Sequence, residues 1–319
     1  MAPAHPSTPA DLDRLRQQLA NWRPSLAAGK GELTPIRRWV WRLDLDGERY
    51  CVKGPREEGM RSGEAALLAA LHAQGYPVPR PLWRDDEAGL FVREWIEGES
   101  LMEVQRAPKT DARAARLALC IRALAHLEQA ADLVRSMVPP SPPWITSVDH
   151  LAELIAEDAR TIAPAANSEG LTAACREVAR TITVGPPQTL NISDAWPGDL
   201  IVDEHHAVFI DCEHTSWWWP EKRFCQYLAR WQRDEEDRDL HSREFLRHAA
   251  DPSAARLDAH YLWHDLGYLA AWEELCVEQG ASATAYGTTV GAIAQAARAR
   301  LTWLGACEPA NAVRHLVAT

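Results

Sequence analysis

Leu12, Leu15, Leu19 and Trp22 recur at helical spacing behind Thr8-Pro9, a hydroxyl cap followed by proline at the first helical position, and predict a leading amphipathic helix. Between Trp39 and Lys53 the pattern changes to two strand-like runs, 39–43 and 49–53. They flank Asp46-Gly47, a dipeptide suited to the left-handed backbone of a tight hairpin. From Ser62 to His72 the helical period returns, with Leu67, Leu68 and Leu71 on one face, and Gln74-Gly75 closes it ahead of Pro77. Gly89 to Ile96 forms a further strand stopped by Glu97-Gly98, so residues 25–98 read β-β-α-β.

Beyond residue 98 the composition turns helical. One long Ala/Leu/Arg helix is predicted over 111–134, then a rigid Pro139-Pro140-Ser141-Pro142-Pro143 spacer and two helices near 147–162 and 169–182. Short strands return over 189–211, where Ala207 to Ile210 is an apolar run ending at Asp211, and helix follows from Pro220 to the end. The chain is thus α+β, with a small β-rich lobe and a larger, mainly helical one, divided at 1–98 and 99–319.

Charge narrows the partners. The 319 residues hold 34 Lys and Arg against 45 Asp and Glu, a net −11, which disfavours nucleic acid and anionic membrane. The most apolar helical run, 117–133, is broken by Arg122, His126, Glu128 and Asp132, short of the ~18 uncharged residues a membrane span needs. Asp11, Asp13 and Arg14 stand where an export signal requires apolar residues, and seven scattered cysteines include no C-x-x-C pair. Both features point to a reducing cytoplasm; oligomeric state has no signal here.

Lys53 ends a strand, Glu64 lies in the next helix, Asp194 in a loop, and Asp211 ends a later apolar strand. These types suit phosphoryl transfer, which needs a cation on the nucleotide phosphates, an anion steadying it, carboxylates for Mg2+ and a base for the acceptor hydroxyl. Ser193-Asp194-Ala195-Trp196-Pro197-Gly198-Asp199-Leu200, followed by Ile210-Asp211-Cys212-Glu213, resembles the H-G-D-x-x-P-G-N and I-D-x-E segments of aminoglycoside phosphotransferase-like kinases. Glu64 to Leu71, Val78-Pro79-Arg80-Pro81 and Phe91 to Gly98 resemble that family's helix, turn and hinge strand, in the family's order, across roughly residues 25–230.

The resemblance implies a two-lobed protein-kinase-like fold binding ATP or GTP with Mg2+ between the lobes. It makes Asp194 the base, Asp199 and Asp211 the metal ligands, and Lys53, steadied by Glu64, the phosphate contact. The backbone from Glu94 to Ile96 would take the adenine edge, and Gly29-Lys30-Gly31 falls where a phosphate-covering loop should lie. Four positions depart from the pattern, one of them Cys212, which stands where the family has an aromatic residue after the metal aspartate. Ile192 replaces the loop histidine, Ser193 the glycine, and Asp199 the asparagine, which adds a negative charge beside Asp194 and Asp211.

The implied activity is O-phosphorylation of a small acceptor, an amine-bearing metabolite or antibiotic, in resistance or natural-product biosynthesis. Two alternatives stay open: a kinase for Ser/Thr of a precursor peptide, and a nucleotide- or partner-binding pseudokinase. Trp217-Trp218-Trp219 can line the acceptor site or pack the lobe, and the acidic run 234–239 can receive ammonium groups or face solvent. His260 and His264 have helical metal-ligand spacing but no third ligand, and read as ordinary histidines.

Overall fold

A computed structural model describes residues 9–37, 39–54, 64–137, 145, 147–164, 168–183, 189–192, 196–212, 215–229, 232, 234–303, 305 and 307–318. Helix α1 (Pro9–Leu19) leads into strands β1 (Glu32–Arg37), β2 (Val40–Leu45) and β3 (Glu48–Lys53), then α2 (Glu64–Ala73), β4 (Pro81–Asp85) and β5 (Leu90–Glu94). The strands form one antiparallel sheet in the order β1-β2-β3-β5-β4. Asp46 and Gly47 both take positive φ, 55° and 85°, as the expected β2–β3 hairpin turn requires. The sequence pattern predicts neither β1 nor β4. Each contains a proline, which cannot donate to a ladder, and both occupy the sheet's edges, where that loss is tolerated.

Alternation gives the sheet two apolar faces. Leu43, Tyr50, Val52, Leu90 and Val92 pack with Leu15 and Leu19 of α1. On the other side Phe91 meets Leu67, Leu68 and Leu71 of α2, and this core continues into the helical part. There the chain runs β6 (Glu99–Ser100), α3 (Leu101–Arg106), α4 (Asp111–Glu128), α5 (Ala131–Met137), α6 (Val148–Ile162) and α7 (Ser168–Ile182). Next come β7 (Thr189–Ile192), β8 (Leu200–Val202), β9 (Ala207–Phe209), β10 (Thr215–Trp218), α8 (Pro220–Leu228) and α9 (Glu235–His248). The chain closes with α10 (Ala254–Gln279), β11 (Thr284–Ala285), β12 (Thr288–Thr289), α11 (Val290–Arg300) and α12 (Glu308–Ala318). A second core gathers α6, α7, α10, α11 and α12.

Two helical expectations need correction. The single helix predicted over 111–134 breaks at Gln129-Ala130 without glycine or proline, and Val134 of α5 joins the core shared with α2 and α4. The helix predicted from Pro220 onward is interrupted by the β11–β12 hairpin, whose tip places Tyr286 at φ 52° and Gly287 at φ 81°. Among the described residues no helix is long and apolar enough to cross a membrane.

At the end of α4, Glu128 is buried 3.4 Å from Arg223 of α8. Burial pushes its pKa up to about 7; Arg223 opposes the shift and Glu221 adds to it. The unfolded carboxyl releases its proton near 4.5, so between these values the native state binds more protons. Stability should therefore fall as pH rises through that window. Urea unfolding at about pH 5 and about pH 8 should show the loss, and Glu128→Gln should shrink it. An unchanged difference in the variant would count against a protonated Glu128.

Candidate active site

The antiparallel register sets the site. Lys53, the last residue of β3, pairs with Val40, and Val40 pairs with Arg37 at the end of β1. Lys53 is 1% exposed, and its Nζ donates to Glu64 Oε1 at 2.7 Å and Asp211 Oδ1 at 3.1 Å. Glu64 opens α2, and Asp211 follows the buried β9. Asp199 closes a 3-10 turn over 197–199, and its carbonyl accepts from the Ile210 amide at 2.8 Å, so the two aspartates lie side by side. The Cys212 amide adds a 3.4 Å bond to Glu64 Oε1. Arg37 reaches across the gap, with Nη2 3.0 Å from Asp199 Oδ1 and 3.5 Å from Asp211 Oδ2.

Electrostatics follow from this packing. Burial alone would lower the Lys53 pKa, but Glu64 and then Asp211 outweigh it and hold the ammonium charged. Burial pushes Asp199 up to about 6, opposed by Arg37 and reinforced by Asp211. Asp199 and Asp211 together offer hard oxygen donors on one side of a buried ammonium. That set fits a cation such as Mg2+, which takes one or two carboxylates and completes its shell with water and phosphate. Among the described residues no cluster of three or more metal-ligating side chains forms, so the described part of the site provides two carboxylates.

The glycine-loop expectation is corrected by the same register. Gly29 and Gly31 precede β1, at the end of the sheet opposite Lys53. Gly31 has φ 79°, a Cβ there would lie 3.1 Å from the Asp44 carbonyl oxygen, and its own carbonyl accepts from Arg16 Nη1 at 3.0 Å. It fastens α1 to the sheet. The turn on Lys53's side is 37–40, where Trp39 takes φ 65° and its carbonyl accepts from the Gly54 amide at 2.8 Å. Arg37, on this turn, is the site residue that sequence reasoning missed. No motif marks it, because its partners arrive from 162 and 174 residues away.

Glu94 ends β5, earlier than the predicted strand. Its amide bonds to the Arg80 carbonyl at 3.0 Å, and its carboxylate accepts from the Arg80 amide at 2.7 Å. Ile96 is half-buried in the segment leaving the sheet. Gly98 lets that segment press on β8, since a Cβ there would come within 2.6 Å of the Val202 oxygen. Asp194 lies outside the described residues. Its flanks are placed: Ile192 pairs with Thr215, and the Trp196 ring lies where a Cβ on Gly198 would stand, 2.7 Å away.

Trp219, His260 and His264 resolve into packing. Trp219 is buried against His260, ring centroids 5.8 Å apart, while the side chains of Trp217 and Trp218 lie outside the described set. His260 and His264 are both buried, the latter stacked on Tyr268. In the acidic run, Asp234 accepts from Lys109 at 2.6 Å and Asp237 from Arg113 at 2.9 Å.

The sequence profile of the APH phosphotransferase enzyme family matches residues 36–272, the span holding every one of these clustered side chains. The chain belongs to that family. No curated protein matches the phosphotransferase significantly. Among solved structures it resembles a choline/ethanolamine kinase family protein from Mesorhizobium loti, with 16% identity, TM-score 0.55, and 96% of this chain and 98% of that one covered. A macrolide 2'-phosphotransferase from Brachybacterium faecium matches at 15% identity, TM-score 0.55, covering 91% and 97%. An amicoumacin kinase in complex with AMP-PNP, Ca2+ and Ami matches at 13% identity, TM-score 0.52, covering 82% and 88%. These likenesses establish the two-part α+β fold for this phosphotransferase.

Proposed function

We propose that this phosphotransferase moves the γ-phosphoryl group of ATP or GTP to a hydroxyl of a small acceptor, with Mg2+ as cofactor. The observation that carries the reading is Lys53, buried between Glu64 and Asp211, with Asp199 joined to the group through Arg37. Residues 1–98 hold the nucleotide, and 99–319 supply the metal ligands, the base and the acceptor pocket. The AMP-PNP and Ca2+ in the amicoumacin kinase support a nucleotide and a divalent cation here. Free thiols at all seven cysteines support a cytoplasmic setting.

Lys53 binds α- and β-phosphate oxygens, and Glu64 keeps its ammonium in place. The backbone at Glu94 and Ile96 meets the adenine edge. Asp199 and Asp211 hold the cation, which when bound neutralises charge on the phosphates. Arg37, paired with both carboxylates, would place a positive charge beside the phosphates. The acceptor oxygen bonds to the γ-phosphorus, the bond to the β,γ-bridging oxygen breaks, the nucleoside diphosphate leaves with that electron pair, and Asp194 takes the hydroxyl proton. Most of the rate comes from positioning and charge compensation.

Thermal unfolding with ATP or GTP, with and without Mg2+, tests the reading. Stabilisation that requires metal, and that is lost in Lys53→Met, is the expected result. Stabilisation indifferent to metal would favour a nucleotide-binding module without turnover. No response to either nucleotide would overturn both.

A further inference from the structure

Arg37 stands where it does because the sheet slips beside it. Along an unbroken strand Leu33, Pro35 and Arg37 would share one face, and Leu33 packs in the core shared with α1. The β1–β2 register shifts between Pro35 and Arg37, so Pro35 pairs with Trp41 while Arg37 pairs with Val40, itself the partner of Lys53. Trp41 belongs to the α1 core, and Arg37 is turned to the opposite face, the one that carries Lys53. Proline suits the slip, since it has no amide to give the ladder. The bulge therefore aims a guanidinium at the site.

There it meets the oxygens that fit a divalent cation. Nη2 lies 3.0 Å from Asp199 Oδ1 and 3.5 Å from Asp211 Oδ2, and the other Asp211 oxygen lies 3.1 Å from Lys53 Nζ. The Asp199 and Asp211 side chains are only 7% and 15% exposed, so salt screens their charges less than on an open surface. The two basic groups are held differently. Lys53 is buried and tied to Glu64 at 2.7 Å, whereas the Arg37 side chain is 47% exposed, at the end of an edge strand. An oxygen that accepts from Arg37 has less to offer a metal ion, and guanidinium and metal carry charge of the same sign.

We propose that Arg37 is a tethered competitor of the divalent cation: without nucleotide it takes the Asp199 and Asp211 oxygens and keeps free metal from loading the site alone. Nucleotide changes the balance, because its phosphates bring the metal further oxygen donors and give Arg37 another acceptor. The cation thus enters with the nucleotide. The inference rests on the phosphotransferase reading and adds to it a reason why metal and nucleotide bind together.

Titration of Mn2+ into the full chain without nucleotide, with the unbound ion read by electron paramagnetic resonance, tests the competition. Mn2+ shares the preference of Mg2+ for oxygen ligands. At about pH 8, above the value of about 6 to which burial pushes Asp199, Arg37→Met should bind Mn2+ about fivefold or more tighter than the parent. A damaged fold would weaken metal binding, so the sign separates competition from a structural role. Adding Asp211→Asn to that variant should abolish the gain. Calorimetry with preformed Mn2+ and AMP-PNP complex should show a smaller gain, none, or a loss, because the competition has then been relieved. A smaller gain or none for Mn2+ alone, weaker binding, a gain that survives Asp211→Asn, or an equal gain for the complex would each overturn the proposal. The metal-dependent nucleotide shift of the unmodified protein reads the phosphotransferase assignment separately, so a failed competition with an intact shift leaves that assignment standing.

Discussion

Asp211→Asn should lower ATP turnover by about 10^3-fold or more while leaving the fold intact, the scale seen when a positioned charge-stabilising group is removed. The assay needs no acceptor, because slow release of phosphate with water as the nucleophile reports the same chemistry. Asparagine preserves the shape and one oxygen. It removes the negative charge that faces both Lys53 Nζ at 3.1 Å and Arg37 Nη2 at 3.5 Å. Lys53 still keeps Glu64 at 2.7 Å, so the buried ammonium is not orphaned and the unfolding midpoint should move little. The metal-dependent part of nucleotide stabilisation should shrink with turnover. Phosphate release within tenfold of the parent would remove Asp211 from the proposed metal site.

Asp258→Ala should destabilise the protein by about 3–5 kcal/mol, the cost of leaving buried charges without their partner. Asp258, on α10, is 4% exposed and accepts from Arg238 at 2.7 Å, while Arg314 of α12 lies 2.9 Å from the same oxygen. Its other oxygen accepts from the Cys307 amide at 3.1 Å. Burial lowers the Arg314 pKa and Arg238 adds to that, with Asp258 opposing, so removal of the carboxylate sets two guanidinium groups against each other in the core. Arg238 stacks 4.2 Å from the Tyr261 ring centroid, a contact too weak to compensate. Urea unfolding would measure the loss. A change under about 1 kcal/mol would show that the carboxylate is not what holds α12 on α10.

Much of the site was legible because its parts are local. Lys53 closes a strand whose hairpin signal lies in two adjacent residues, Glu64 heads an apolar helix, and Asp211 follows four apolar residues. Each signal needs only neighbours within one turn or one strand, and the order of several such signals pointed to phosphoryl transfer. Gly29 and Gly31 were misplaced because a glycine pair reports left-handed backbone freedom, and both do have positive φ, but it does not report which end of a sheet it occupies. The β11–β12 hairpin was lost because Tyr286-Gly287 is a weaker turn signal than Asp46-Gly47 and its strands are two residues long.

By itself, then, the sequence determined the alternation of elements, the residues that end them and the class of chemistry they suit, since periodicity and capping act over a few residues. Only the tertiary structure decided that Arg37 bridges aspartates from distant stretches, that Asp234 and Asp237 of the acidic run pair with Lys109 and Arg113, and that arginine and tyrosine line a cavity near Trp196. Those pairings depend on sheet register and helix packing. Charge at a position says nothing of its partner until folding brings the two within a few ångströms.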